Sequence, residues 1–528
     1  MAKSAIFGLA LILPAMIHAA VVPSSLFSDN AVIQADREVP VWGWDNPGQD
    51  VTVTVGTSKA SGKADQDGRW EALLPAMKAG TTPVEMSVAG SSTVTVKNVL
   101  VGEVWVGSGQ SNMEFPLRWG VTKVPEYDKA VSEANYPNFR MFKVEERWGG
   151  EPPPKDVVGK WEVCTPESVV QWSAAGFFFG RDLQQQLGGT PVGVIDSTVG
   201  GTQMVSWIPP KDYAQIFPKV TPRDQEGWSQ SAKQMQDFYA QWDDTVAKAT
   251  AAGTPPPPQP KITVRRWPGC LYDGMVAPLM PCSIRGIVWY QGESNTYVKD
   301  ADGYAKMLQD LVTSWRTGWK RDDLPFIIIQ LPNYSEDLST EKRASYAGPG
   351  TKVVQADPVE ENSLWAPIRE AQRLTVAKLP NTALVVTIDI GTQLMIHPWN
   401  KWDLGQRCAL AAMNLAYGKK DVIASGPMLA GPEFRDGKVI VKFTSIGGGL
   451  QARDGGDIQG FAVAGQDGKF SWAKAAVNGD TVTLSSDDVK EPTEVRYSWA
   501  ENPIGNLINK EGFPASPFKT DVADSAKK

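Results

Sequence analysis

Between residue 100 and about residue 418 the chain repeats one pattern. A short, almost purely apolar run stops at a polar or glycine-rich turn, and a longer stretch of helical periodicity follows. The runs are VLVGEVWVG, PVGVID, IRGIVWY, PFIIIQL and TALVVTIDIG. Strands that are apolar on both faces must be covered on both faces. Strands that alternate with helices join most simply as parallel neighbours, so this region reads as an α/β unit, a mostly parallel sheet between helical layers. Two helical stripes illustrate it: Met235, Phe238, Tyr239, Trp242 and Val246, then Tyr304, Met307, Leu308, Leu311 and Trp315, recur at three- and four-residue spacing. Both stripes are read as core. TPPPPQP, at 254–260, cannot continue a helix and closes the first of them.

The flanks have a different texture. Residues 21–100 carry short β-type runs broken by turn signals (VPVWGW, DNPGQD, VTVTVG, DQDGRW, STVTVKNV), as expected of a small all-β sandwich. After LAYG at 415–418 the β texture returns with KVIVKFT, TVTLSS and EVRYSWA, which predicts a second β-sandwich over 419–528. A chain of 528 residues exceeds what one core usually holds, and this division into 21–100, 101–418 and 419–528 fits that limit.

The first twenty residues, MAKSAIFGLALILPAMIHAA, place Lys3 before an apolar stretch that ends in small residues. That is the layout of a signal peptide, and the stretch is too short to span a bilayer. A soluble exported protein, periplasmic or extracellular, is the expectation, with no membrane association beyond the export signal. A net charge of −7 and the lack of a long basic run argue against nucleic acid as a partner. Export makes disulfides possible, but Cys164, Cys270, Cys282 and Cys408 are scattered and allow three full pairings. Only two histidines occur, and His18 lies in the leader-like segment, so His397 is the one imidazole left for chemistry. A histidine-based metal site is thereby nearly excluded, and neither metal nor cofactor is expected.

Ligands of open α/β sheets bind beyond the carboxyl ends of the strands. Four polar clusters follow the apolar runs: GSGQSNME (107–114), DSTVGGTQ (196–203), YQGESN (290–295) and IHPWNK (396–401). Ser111 follows a strand and a Gly-Ser-Gly turn, where a hydroxyl can face the cleft. As a helix-opening serine it would be only an N-cap. Met113 breaks the G-x-S-x-G elbow, and Asn112 breaks a dinucleotide loop. A serine nucleophile needs a base, and His397 is the candidate.

Together with LYDGMVAPL (271–279), IREAQ (368–372), NPIGNLINKEGFPASPF (502–518) and the opening LFSDNAVIQ, these clusters resemble the sialate O-acetylesterase family of SGNH-type carbohydrate esterases, which is related to acetylxylan esterases. The resemblance runs from about residue 26 to 520. It implies a flavodoxin-like three-layer α/β esterase domain with accessory β-sandwiches, acting on acetylated glycans. It implies Ser111 as nucleophile and His397 as general base and acid. Gly201 and Asn295, with the Ser111 N–H, would form the oxyanion hole, with a contribution from Gln291.

Related enzymes place an aspartate two or three residues before the histidine, where this chain has Leu394 and Met395. Glu293, in YQGES, is the expected acid partner, with Asp389 or a plain Ser-His dyad as fallbacks. The structural alternative for Glu293 is an ion pair with Arg285 or Arg369. Twenty tryptophans are present, and Trp119, Trp148, Trp207, Trp289, Trp399 and Trp402 fall near the clusters, where indole faces suit sugar rings, although core packing accounts for most tryptophans. Competing classes are a non-catalytic glycan-binding protein and a glycoside hydrolase working through Glu114 and Glu293. Within the esterase reading, acetylated xylan, xyloglucan or pectin are alternative substrates, to be discriminated by loops such as 335–364.

Overall fold

The computed structural model describes residues 20–149, 153–210, 221–255, 257, 266–296, 301–335 and 363–520. The leader-like segment 1–19 and nearly all of the 335–364 loop lie outside them, as does most of TPPPPQP.

The apolar runs form the centre of the molecule. Thr93–Gly109 (β1), Tyr136–Val144 (β2), Gly159–Cys164 (β3), Val192–Thr198 (β4), Gly286–Tyr290 (β5), Phe326–Ile329 (β6) and Thr382–Val385 (β7) lie side by side in the order β3-β2-β4-β1-β5-β6-β7. Every pairing is parallel except β2 with β3, at one edge. Leaving aside β2 and β3, the remaining strands run 2-1-3-4-5 in chain order, so the chain direction switches between β1 and β5. A crevice opens at such a switch point, beyond the carboxyl ends of the strands. The strands β4 and β5 are buried along their whole length, as their continuous apolar character requires.

Helices cover the sheet: Ala174–Gln186 (α2), Ala301–Gly318 (α3), Ala366–Lys378 (α4) and Lys401–Ala416 (α5), after the four-residue α1 at Ser111–Glu114. Both expected stripes lie on helices, the first on Pro222–Ala251 and the second on α3. Tyr304, Leu308, Leu311 and Trp315 are fully buried, as core stripes should be.

The boundary expected at residue 100 falls inside β1. The first half of this 17-residue strand pairs antiparallel with Gly80–Ala89, and near residue 100 it takes Val32–Gln34 as a parallel neighbour. Its second half is central to the α/β sheet. The N-terminal β region and the α/β unit therefore share a strand and one hydrophobic core. Beyond α5, two four-stranded antiparallel sheets enclose a separate core that includes Val439, Val441, Val482, Leu484, Val495 and Phe518. This C-terminal unit is tied to the α/β unit by the buried guanidinium of Arg369. It donates to the carbonyls of Leu331 and Pro332 on one side and of Ala500 and Glu501 on the other.

The four cysteines do not pair. Burial raises the thiols of Cys164, Cys270 and Cys282 to about 12, which leaves them protonated and inert. Among the described residues no helix is long and apolar enough to cross a membrane.

Candidate active site

Three strands end level at the crevice. Gly109 of β1 stands opposite Thr198 of β4 on one side and Tyr290 of β5 on the other. The chain leaves β1 through Gly109, at φ +135°, a conformation that suits glycine. Gln110 anchors the exit: its N–H donates to the Tyr290 carbonyl (3.0 Å), and its side-chain Oε1 accepts from Gln291 Nε2 and Ser294 N, each at 3.1 Å. Ser111 then opens α1.

His397 arrives from the other end of the sequence, on the loop between β7 and α5. Its Nε2 lies 2.8 Å from Ser111 Oγ, across 286 residues of chain. If Nε2 is to accept the serine proton, the ring's own proton sits on Nδ1. Burial, and then the nearby Lys401 charge, lower the His397 pKa, which favours the neutral imidazole that a base requires.

The expectation that Glu293 backs His397 does not hold. Glu293 is 6% exposed, and its Oε1 accepts from Asn112 Nδ2 at 2.6 Å. Among the described residues no carboxylate bonds to His397. The alternative ion pairs of Glu293 fail as well, because Arg285 pairs with Glu103 and Arg369 binds backbone carbonyls. Asp389 is held by Arg407 and Arg453. The buried, amide-bound Glu293 is also poorly placed to act as a glycosidase carboxylate. Burial raises its pKa, opposed first by the Asn112 hydrogen bond.

Asn112, which the sequence reading passed over, is the hub. Its Nδ2 donates to Glu293 and, at 2.8 Å, to the carbonyl of Ile396, the residue before His397. Its Oδ1 accepts from Lys401 Nζ at 2.6 Å. Lys401 is 1% exposed, lies near the rings of Phe115 and Tyr290, and is drawn down to about 7 by burial. The signal for both residues was present in the motifs themselves, as the asparagine of GQSNM and the lysine of HPWNK.

The expected oxyanion residues separate into two groups. Asn295 Oδ1 accepts from Met204 N (3.0 Å) and Gln291 Nε2 (2.7 Å), which fixes the amide orientation and leaves Nδ2 as its donating end. Gly201 sits at φ +66° with its carbonyl bound by Arg266. Among the described residues no acceptor engages the N–H of Ser111 or Gly201, or Nδ2 of Asn295. Gln291 differs: it is fully buried, and its amide nitrogen donates to Gln110, Thr202 and Asn295, while Tyr304 and Gln372 bind its oxygens. With both N–H groups committed, Gln291 braces the loops and has no donor left for an oxyanion, a correction to its expected role. Gly200 approaches Ser111 and Glu114 closely, and the Glu114 carboxyl is raised chiefly by burial.

An aromatic wall flanks His397. Phe115 and Trp119 lie 6.3 and 6.2 Å from its ring, and Trp399 packs edge-on against Phe115 at 5.4 Å. Trp119 is 38% exposed. Trp207 and Trp289 are fully buried and stack edge-to-face, and Trp148 packs on Trp267, so these are core residues. Trp402 is half-buried against Tyr127.

The sequence that builds this site matches a known family of proteins. The family described as carbohydrate esterase, sialic acid-specific acetylesterase, matches residues 101–233 and 263–413, more than half of the chain. The chain belongs to that family. It is therefore a carbohydrate esterase, a carboxylic ester hydrolase. It is 34% identical to a carbohydrate acetylesterase from Xanthomonas citri, a comparison covering 95% of this chain and 100% of that one, with a TM-score of 0.76. It is 26% identical over 546 residues to a human sialate O-acetylesterase, covering 95% of this chain and 92% of that protein. A mouse sialate O-acetylesterase is 27% identical over 419 residues, covering 74% and 72%. The matched family segments contain each of the four polar clusters read from the sequence.

Proposed function

We propose that this esterase removes O-acetyl groups from sugars, as a sialate O-acetylesterase-like enzyme, through a Ser111–His397 dyad and an acetyl-enzyme intermediate. The observation that carries the mechanism is the 2.8 Å contact between His397 Nε2 and Ser111 Oγ. His397 Nε2 takes the hydroxyl proton as Ser111 Oγ attacks the acetyl carbonyl. The resulting oxyanion is met by the N–H groups of Ser111 and Gly201 and by Asn295 Nδ2. Donors preorganised in this way are worth about 3 kcal/mol each to the transition state. As the tetrahedral intermediate collapses and its bond to the sugar oxygen breaks, His397 gives the proton to that departing oxygen, which leaves as the free sugar hydroxyl. Water activated by the same imidazole releases acetate and restores the serine. Nothing in this cycle calls on a metal or cofactor.

Trp119 supplies a partly exposed indole face beside the dyad, suited to the apolar face of a sugar ring. The same reading makes the α/β unit a flavodoxin-like SGNH hydrolase domain, with the 2-1-3-4-5 strand order in support. The leader-like first twenty residues support export to the periplasm or beyond. Acetylated xylan, xyloglucan or pectin share the chemistry and are the competing substrates.

The test is acetate release from a panel of O-acetylated sialosides, xylan, xyloglucan and pectin by the wild type and by Ser111→Ala. The wild type should release acetate, fastest from the sialosides, and Ser111→Ala should release almost none. Equal rates for the two proteins would refute the nucleophile. A marked preference for a plant polysaccharide would refute the sialate assignment alone.

A further inference from the structure

The dyad needs something to hold its imidazole. A serine-histidine pair normally has a carboxylate on the far ring nitrogen, fixing both tautomer and orientation. Here the residues three and two before His397 are Leu394 and Met395, neither of which is acidic, and no carboxylate among the described residues reaches His397. What reaches the histidine loop instead is an amide. Asn112 Nδ2 donates to the carbonyl of Ile396, one residue before His397, and Asn112 is itself one residue after Ser111. A single side chain therefore ties the nucleophile's segment to the base's segment.

That amide is gripped at both ends. Lys401 Nζ donates to its oxygen at 2.6 Å, and Glu293 Oε1 accepts from its nitrogen at 2.6 Å. A cation on the carbonyl and an anion on the N–H polarise an amide in the same sense, and hydrogen bonds in such a chain strengthen one another in a low-dielectric interior. All three residues are buried. A buried lysine and a buried glutamate are each costly to ionise alone, so their retention on opposite ends of one asparagine calls for a use. The ionisable groups around Lys401 are Glu293, across Asn112, the Tyr290 phenol, whose ring lies 5.2 Å away, and His397, which feels its charge.

We propose that Lys401 and Glu293 are positioning residues that act through Asn112 to fix the His397 loop, so that this buried relay takes over the orienting task of the missing carboxylate. The proposal rests on the Ser111–His397 reading and goes beyond it. It assigns no contact with substrate to Lys401 or Glu293. Besides orientation, the relay has an electrostatic consequence. The lysine cation opposes protonation of His397, whereas a carboxylate partner would favour it.

The experiment compares Lys401→Met, Glu293→Gln and the double variant with Ser111→Ala, following acetate release across pH and thermal unfolding in parallel. Lys401→Met should lower kcat about 10- to 100-fold with KM within about twofold of wild type, the pattern of a lost transition-state interaction. Its acid limb should move to higher pH, because the charge that suppressed the imidazolium is gone. A purely structural lysine would instead lower the melting temperature while leaving kcat of the folded protein near wild type. Glu293→Gln should also lower kcat. The double variant, which leaves no buried charge unpartnered and so remains informative if Lys401→Met folds poorly, should lose little more than the worse single variant, because the two ends serve one relay.

Wild-type kcat and an unmoved acid limb in Lys401→Met or in the double variant would overturn the relay, as would additive losses in the double variant. Ser111→Ala separates the two levels. If it is inactive while the relay variants behave as wild type, the relay alone fails. If it is active, the dyad beneath it fails too.

Discussion

Asp389 and Arg407 form a two-pronged ion pair, 2.7 and 2.8 Å, between the segment after β7 and helix α5, with Arg453 of the C-terminal unit adding a third contact at 3.2 Å. This explains why the carboxylate closest before His397 in sequence does not orient it. Both members of the pair are largely buried, and removing one leaves the other's charge without compensation, typically at a cost of roughly 3 kcal/mol or more. Asp389→Asn should therefore lower the melting temperature by several degrees and leave kcat and KM for an acetyl ester near wild type. A large fall in kcat without a change in melting temperature would return Asp389 to the catalytic machinery.

The pH dependence of the reaction should carry the mark of His397's surroundings. Burial and the Lys401 charge lower its pKa from the ordinary value of 6.5. The active form is the neutral imidazole, so a lowered pKa extends activity toward acid. In a plot of kcat/KM against pH, the acid limb should turn below 6.5, and His397→Ala should abolish turnover over the whole range. An acid limb above 6.5 would mean that a negative charge reaches the imidazole after all.

Asn295 offers a direct check on the oxyanion assignment. Its carbonyl oxygen is fixed by Met204 and Gln291, so Asn295→Ala removes the free Nδ2 donor and also frees the Met204 N–H and a Gln291 N–H. Asn295→Asp keeps the fixed oxygen but exchanges the donor for a carboxylate oxygen, which also sets a negative charge beside the oxyanion. Both variants should lower kcat about 10²- to 10³-fold, the usual cost of one such donor, with KM changed much less. If Asn295→Asp keeps normal turnover, the oxyanion is served by backbone groups alone.

The parts of this arrangement that were legible in the sequence are those written in strong local patterns. Continuous apolar runs ending in polar turns marked the parallel strands, and Ser111 and His397 were found because each followed such a run and no second imidazole competed. The supporting shell was harder to see for a physical reason. Asn112 and Lys401 act through contacts spanning 289 residues, and a buried lysine is an exception to the rule that lysines sit in solvent. Glu293 was correctly placed near the site, but its role depended on which atom its carboxylate met. No periodicity encodes that. The unbroken course of β1 across residue 100 was hidden too, because its outer half alternates in burial and its inner half does not, so that one strand reads as two textures.

Gly109 links that long strand to the chemistry. At φ +135° it ends β1, and a Cβ added there would stand 2.0 Å from the Tyr290 carbonyl oxygen and 2.7 Å from the carbonyl carbon. Neither atom can retreat, because Tyr290 is paired in register with Gly109 at the end of β5 and its carbonyl also accepts from Gln110. An alanine would thus combine an unfavourable backbone conformation with a clash against backbone, and the relief would be a parting of β1 from β5 beneath Ser111. Gly109→Ala should reduce soluble yield and melting temperature sharply, and whatever folded protein remains should turn over far more slowly than wild type, because Ser111 no longer meets His397 in register. The comparison variant is Gly201→Ala, where a Cβ meets nothing within 4 Å and only the φ of +66° is strained. It should cost far less stability. A Gly109→Ala protein that melts and turns over like wild type would show that the two strand ends are not as tightly joined as the geometry requires.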